Sequence, residues 1–125
     1  MISAVVIARI AFGVFFAGSA ILKLGATDTM VAMLSGAGFE RPLPFVYLVS
    51  AAQMAAGIAL IAGRLVWPAS FGLIAYVAVV NWYLHPFWVL DGEAASIQFQ
   101  LFTKNLGIMA GLLAVAGAHH GTRQD

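Results

Sequence analysis

The chain has 125 residues, of which 62% are hydrophobic and 9% charged, with a formal charge of +1 and a mean hydropathy of +0.96. A soluble domain this small leaves too much surface in water to hide that much apolar area, so the lipid bilayer is the solvent and the first partner. The near-neutral charge offers no basic face for nucleic acid, and the absence of cysteine excludes disulfides, thiolate metal sites and dithiol redox chemistry.

Four windows reach the roughly 20 apolar residues that a spanning helix needs, at residues 2–24, 44–62, 65–84 and 97–118. The expected fold is therefore an all-α membrane protein, a four-transmembrane-helix bundle in which residues 1–125 form one domain. The first window ends on small residues, Ala17, Gly18, Ser19 and Ala20, as a signal peptide would. Its short leading region carries no Lys or Arg, however, and Arg9 interrupts the apolar run, so it reads as a retained span with no separate targeting segment.

Between the first two spans, Thr27 and Asp28 introduce a short capped helix that ends near Gly36 and Gly38. It is too short to cross and lies at the membrane interface. Arg41-Pro42-Leu43-Pro44 stops it and starts the second span, and Gly63-Arg64 allows only a tight antiparallel hairpin into the third. Residues 85–93 form a longer loop with aromatic anchors and two carboxylates, and the polar tail from His119 is expected to fray. Small-residue pairs mark helix contacts: Gly13 and Ala17 in the first span, Ala52, Ala55, Ala56 and Ala59 in the second, and Gly107 and Gly111 in the fourth.

An even number of spans puts both termini and the Gly63-Arg64 turn on one side. Arg9, Arg64 and Arg123 then balance Lys23, Arg41 and Lys104 across the membrane, a tie under the positive-inside rule. Lys23 and Lys104 fall inside helices, which leaves Arg41 as the one clear loop cation opposite the termini and favours cytoplasmic termini.

Polar groups inside spans need a partner or a route to the interface. Those to explain are Arg9, Lys23, Gln53, Asn81, His85, Lys104 and Asn105. Alternating helices bring Lys23, Asn81, His85, Lys104 and Asn105 into one layer near a single surface, with Asp28, Glu40, Asp91 and Glu93 in reach of the lysines. Lys23, at a helix end, is expected to snorkel. Lys104, two turns into the last helix beside Asn105, is expected to point into the bundle toward Asn81, His85 or a loop carboxylate. His85 suits interfacial hydrogen bonding or proton transfer. Trp82, Tyr83, Phe87 and Trp88 suit an aromatic belt, or the wall of a pocket for a flat apolar ligand such as a quinone. No residue pattern here suggests a metal.

The run Arg9, Gly13, Phe15, Phe16, Ala17, Gly18, Lys23, Leu24 resembles the first helix of the DoxX family of small bacterial membrane proteins. His85-Pro86-Phe87-Trp88, and the stretch from Phe102 through Lys104 and Asn105 to Leu113, resemble that family's histidine-Phe-Trp segment and the Lys-Asn start of its last helix. The resemblance covers nearly the whole chain. It implies a multi-pass protein of the bacterial inner membrane and, as in some members, a subunit of a thiosulfate:quinone oxidoreductase. Gln53 stands where such proteins often carry a glutamate, and glutamine hydrogen-bonds but cannot relay a proton.

Three functions fit these residues. The first is a small membrane subunit that docks a catalytic partner and contributes to a quinone pocket, with Lys104 donating to a quinone oxygen and His85 handling a proton. The second is a non-catalytic anchor or assembly protein, and the third a homo-oligomeric transporter or lipid-binding protein. No cofactor-binding motif is present, so redox chemistry would come from a bound quinone or a partner subunit.

Overall fold

In the computed structural model, which describes residues 3–124 and the side chains of residues 3–119, the chain forms five α-helices. These are α1 (Ala4–Leu24), α2 (Thr27–Gly36), α3 (Pro42–Ala62), α4 (Val66–Leu84) and α5 (Gly92–Gln124), with a single 3-10 turn at Phe87–Val89. Four helices are long and apolar enough to cross a membrane, and the chain is a multi-pass membrane protein. Residue 2, where the first span was expected to start, and Asp125, the last of the expected tail, lie outside the described residues.

Local chemistry accounts for the helix ends. Ser3 caps α1 by accepting the Val6 N–H at 3.2 Å, and the 21 residues that follow extend about 31 Å, the thickness of a hydrocarbon core. Ala26, rather than Thr27 or Asp28, stands at the N-cap of α2 and makes no side-chain cap, so those two residues open the helix instead of capping it. α3 starts on Pro42, which suits a first turn, and stops at Gly63, whose φ of 74° needs a residue without Cβ. Leu65 is also left-handed, at φ 54°, so α4 starts at Val66 instead of residue 65.

α5 begins at Gly92, earlier than the expected residue 97, because Asp91 C=O accepts the Ala95 N–H and Glu93 lies in the first turn, where a carboxylate complements the helix dipole. Its backbone stays helical to Gln124, so the tail continues the helix instead of fraying at His119.

The bundle is built from two tight pairs. α1 packs along α3 and α4 along α5, while α3 meets α4 much less extensively despite the turn that joins them. Gly13 and Ala17 seat Gly57 so closely that a Cβ on Gly57 would lie 2.8 Å from the Gly13 carbonyl oxygen and 2.9 Å from the Ala17 nitrogen. Gly111 seats the Phe12 ring, whereas Gly107, Ala52 and Ala55 face outward. Phe16, Leu60, Leu73, Val77, Leu112 and Val115 form the buried core between the pairs.

This topology puts Ser35 and Asp91 on one membrane face and Arg64 on the other. With no native cysteine in the way, single cysteines at those positions in sealed vesicles of one orientation should label with an impermeant reagent at Ser35 and Asp91 alike, and oppositely at Arg64. Equal labelling at Arg64 and Asp91 would refute four crossings.

Candidate functional site

A cavity of about 260 Å³ lies beneath α2, enclosed by all five helices. Met30, Met33 and Leu34 of α2 roof it, and most of its walls are apolar. Its polar groups come from two sides: Ser19, Lys23 and Gln53 from α1 and α3, and Tyr76, His85 and Asn105 from α4 onward.

Lys23 sets the character of the site. Side chains on a helix lean toward its N-terminus, which for α1 means away from the nearby surface and into the membrane. Lys23 Nζ donates to Gln53 Oε1 at 2.8 Å and to Ser19 Oγ, one turn back, at 3.1 Å, and lies 5.3 Å from the centroid of the Tyr76 ring. Gln53 is buried at 3% exposure, and its amide Nε2 donates to the Phe16 carbonyl at 2.9 Å, which fixes Oε1 toward the lysine. Gln53 lies about 16 Å along α3 from Pro42, near mid-depth of a roughly 30 Å core. The ammonium therefore reaches inward, contrary to the expectation that Lys23 snorkels.

Lys104 behaves in the opposite way. It is exposed and makes no hydrogen bond or ion pair, so the expectation that it points into the bundle is corrected. The cause is helical geometry: Asn105 faces α4, and adjacent residues sit about 100° apart around the axis, which turns Lys104 outward. Asn105 Nδ2 donates to Asn81 Oδ1 at 2.8 Å, and the buried Asn81 donates through Nδ2 to the Phe102 carbonyl at 3.2 Å. This chain ties α4 to α5. His85 Nδ1 pairs with Gln98 Oε1 at 2.7 Å, and since a carbonyl oxygen can only accept, Nδ1 carries the proton there.

The loop carboxylates do not reach the lysines. Asp28, Glu40, Asp91 and Glu93 are exposed, and none forms an ion pair with a described residue. Lys23 is thus a half-buried cation held by neutral groups only.

The remaining candidates lie elsewhere. The Arg9 guanidinium packs against Gly63, where an added Cβ would fall 2.7 Å from Nη1, and so sits at the C-terminal end of α3, whose carbonyls attract a cation. Trp88 stacks with Trp82, Phe87 and Phe102 outside the cavity, as an aromatic anchor and not a cavity wall. Ser19, Tyr76 and Gln98 are site residues that the sequence reading missed. Ser19 carried a signal, its i, i+4 spacing to Lys23; a tyrosine at mid-span, away from the surface belts, was another.

Residues 4–86 match the family model DoxX. The matched stretch contains Ser19, Lys23, Gln53 and Tyr76 and ends before the 3-10 turn and α5. No curated protein and no solved structure matches the chain.

Proposed function

This chain belongs to the DoxX family, and on that premise we propose that it is the small membrane subunit of a quinone-linked oxidoreductase, with the cavity beneath α2 receiving the quinone headgroup. In this reading it is one transmembrane domain of a bacterial inner membrane, with cytoplasmic termini. The observation that carries the reading is Lys23. Its ammonium has three N–H donors, two of them engaged by Ser19 and Gln53, and no anion compensates its charge.

A carbonyl oxygen in the cavity completes that set and benefits from the positive charge as electron density on it rises. A quinone bound there supplies the electron- and proton-accepting chemistry. Lys23 holds the oxygen, Gln53 and Ser19 hold Lys23, and the apolar walls exclude water and strengthen those contacts. His85, anchored through Nδ1 to Gln98, keeps Nε2 for a proton at the α4–α5 side. Docking of a catalytic partner draws support from Ser96, Gln100 and Lys104, an i, i+4 row of exposed polar residues on α5.

A second reading rests on the same bonds: Lys23, Gln53 and the Phe16 carbonyl link α1 to α3, as they would in a non-catalytic anchor. The test is calorimetric titration of the purified protein in nanodiscs with tail-less benzoquinone and naphthoquinone probes. Saturable binding at one site per chain is expected. A titration without saturation, up to the solubility of both probes, would leave the anchor reading.

A further inference from the structure

The cavity is not the only void beside Gln53 and Tyr76. A groove of about 440 Å³ runs between α3 and α4 and shares with the cavity the wall made by Phe45, Val49, Gln53 and Tyr76. It exists because both facing surfaces are small: Ala52 and Ala56 on α3 oppose Gly72 and Ala75 on α4, and this is the helix pair that closes least tightly. From Phe45 to Ala56 it follows α3 for about 16 Å along the membrane normal, at 1.5 Å per residue.

No charged side chain lines this groove. Its polar lining groups of consequence are Gln53 and Tyr76, where it meets the cavity, so the combined space is polar at one end and apolar along the rest. That is the profile of an amphiphile with an oxygen-bearing head and a long hydrocarbon chain. Together the two voids fall within the roughly 300–1,000 Å³ of ordinary small-molecule sites.

We infer that the molecule whose headgroup Lys23 holds carries a long apolar chain, and that this chain lies in the α3–α4 groove, passing between the helices at Val49 and Tyr76. The inference rests on the headgroup reading above and extends it: the ligand enters sideways from the bilayer, and the site selects long-tailed over tail-less molecules. A smaller groove between α1 and α5, lined by Ala8, Ala11, Phe12, Phe15 and Ile108, also borders the cavity, but shares neither Gln53 nor Tyr76.

Gly72 is the position at which to block the chain. It is exposed with nothing within 4 Å of an added Cβ, so Gly72→Leu fills the groove without a clash and improves helix propensity. Ala11→Leu fills the α1–α5 groove as a control. Each variant is titrated with a tail-less benzoquinone and its decyl-tailed counterpart, and the ratio of variant to wild-type Kd for one probe cancels that probe's partition into lipid.

Gly72→Leu should weaken the decyl-tailed probe about tenfold and leave the tail-less probe unchanged, while Ala11→Leu changes neither. Equal ratios for the two probes in Gly72→Leu, or a tail-specific loss in Ala11→Leu instead, would overturn the inference and leave the headgroup site standing. A shift from dimer to monomer in Gly72→Leu with unaltered binding of both probes would assign the groove to a second copy of the chain and overturn it too. If neither probe binds the wild-type protein saturably, the headgroup reading fails and this inference falls with it.

Discussion

Lys23→Met should abolish most quinone-headgroup affinity without destabilising the bundle. A hydrogen bond from a charged donor contributes about 1.5–3 kcal/mol, so the tail-less probe should bind roughly 10- to 100-fold more weakly. Stability should move the other way or not at all. A lysine charge at helix centre costs about 2.5–3.5 kcal/mol on an insertion scale, and Lys23 has no anion to offset it. Methionine keeps the stem packing and removes the charge, while Gln53 keeps its bond to the Phe16 carbonyl. A lower melting temperature in Lys23→Met with unchanged probe affinity would show that the lysine serves as a helix tie. Lys104→Met, exposed and unbonded, should alter neither quantity.

That contrast shows where sequence reading stops. The four spans were legible because a bilayer sets a length of about 20 apolar residues, and composition alone answers to it. The interfacial α2 was legible from its polar start and glycine-rich end. Which face a lysine takes is a different kind of fact. Lys104 looked deeper than Lys23 by its distance from a helix end, yet one residue of rotation separates it from the inward Asn105. Lys23 looked superficial at the end of α1, but the N-terminal lean of helical side chains and a glutamine on another helix draw it inward.

Gln53 was noticed for the proton it cannot relay, and its position turns on what it can do. Its carbonyl accepts from Lys23 while its amide donates to the α1 backbone, a pairing between residues far apart in sequence that no local pattern encodes. His85 was legible as an end-of-helix polar group, but its partner Gln98 lay hidden in what looked like the first turn of the last span. The stretch from Gly92 to Lys104 carries a polar row on a continuous helix, which reads as a loop when only apolar windows are sought.

Gly57→Ala should destabilise the bundle, although alanine is the better helix former. In an exposed helix the exchange stabilises by roughly 0.5–1 kcal/mol. At Gly57 the new Cβ meets the Gly13 carbonyl oxygen at 2.8 Å, the Ala17 nitrogen at 2.9 Å and the Ala17 Cβ at 3.1 Å. Two of those three atoms are backbone, so no rotamer change relieves the contact and α1 must move away from α3. Overpacking of this kind costs about 1–3 kcal/mol, enough to reverse the sign of the propensity gain. Close backbone approach is also what holds helices together in lipid, where burying apolar surface gives no advantage over contact with acyl chains. The same displacement separates Lys23 on α1 from Gln53 on α3, so probe affinity should fall along with stability. Gly107→Ala is the matched control, a helical glycine with nothing within 4 Å of the added Cβ, and it should melt at or above the wild-type temperature. Thermal melts followed by circular dichroism in one detergent compare the three proteins directly. Parallel shifts for Gly57→Ala and Gly107→Ala would mean that the α1–α3 crossing is looser than described and that Lys23 and Gln53 are held together by their own bond, not by the helices beneath them.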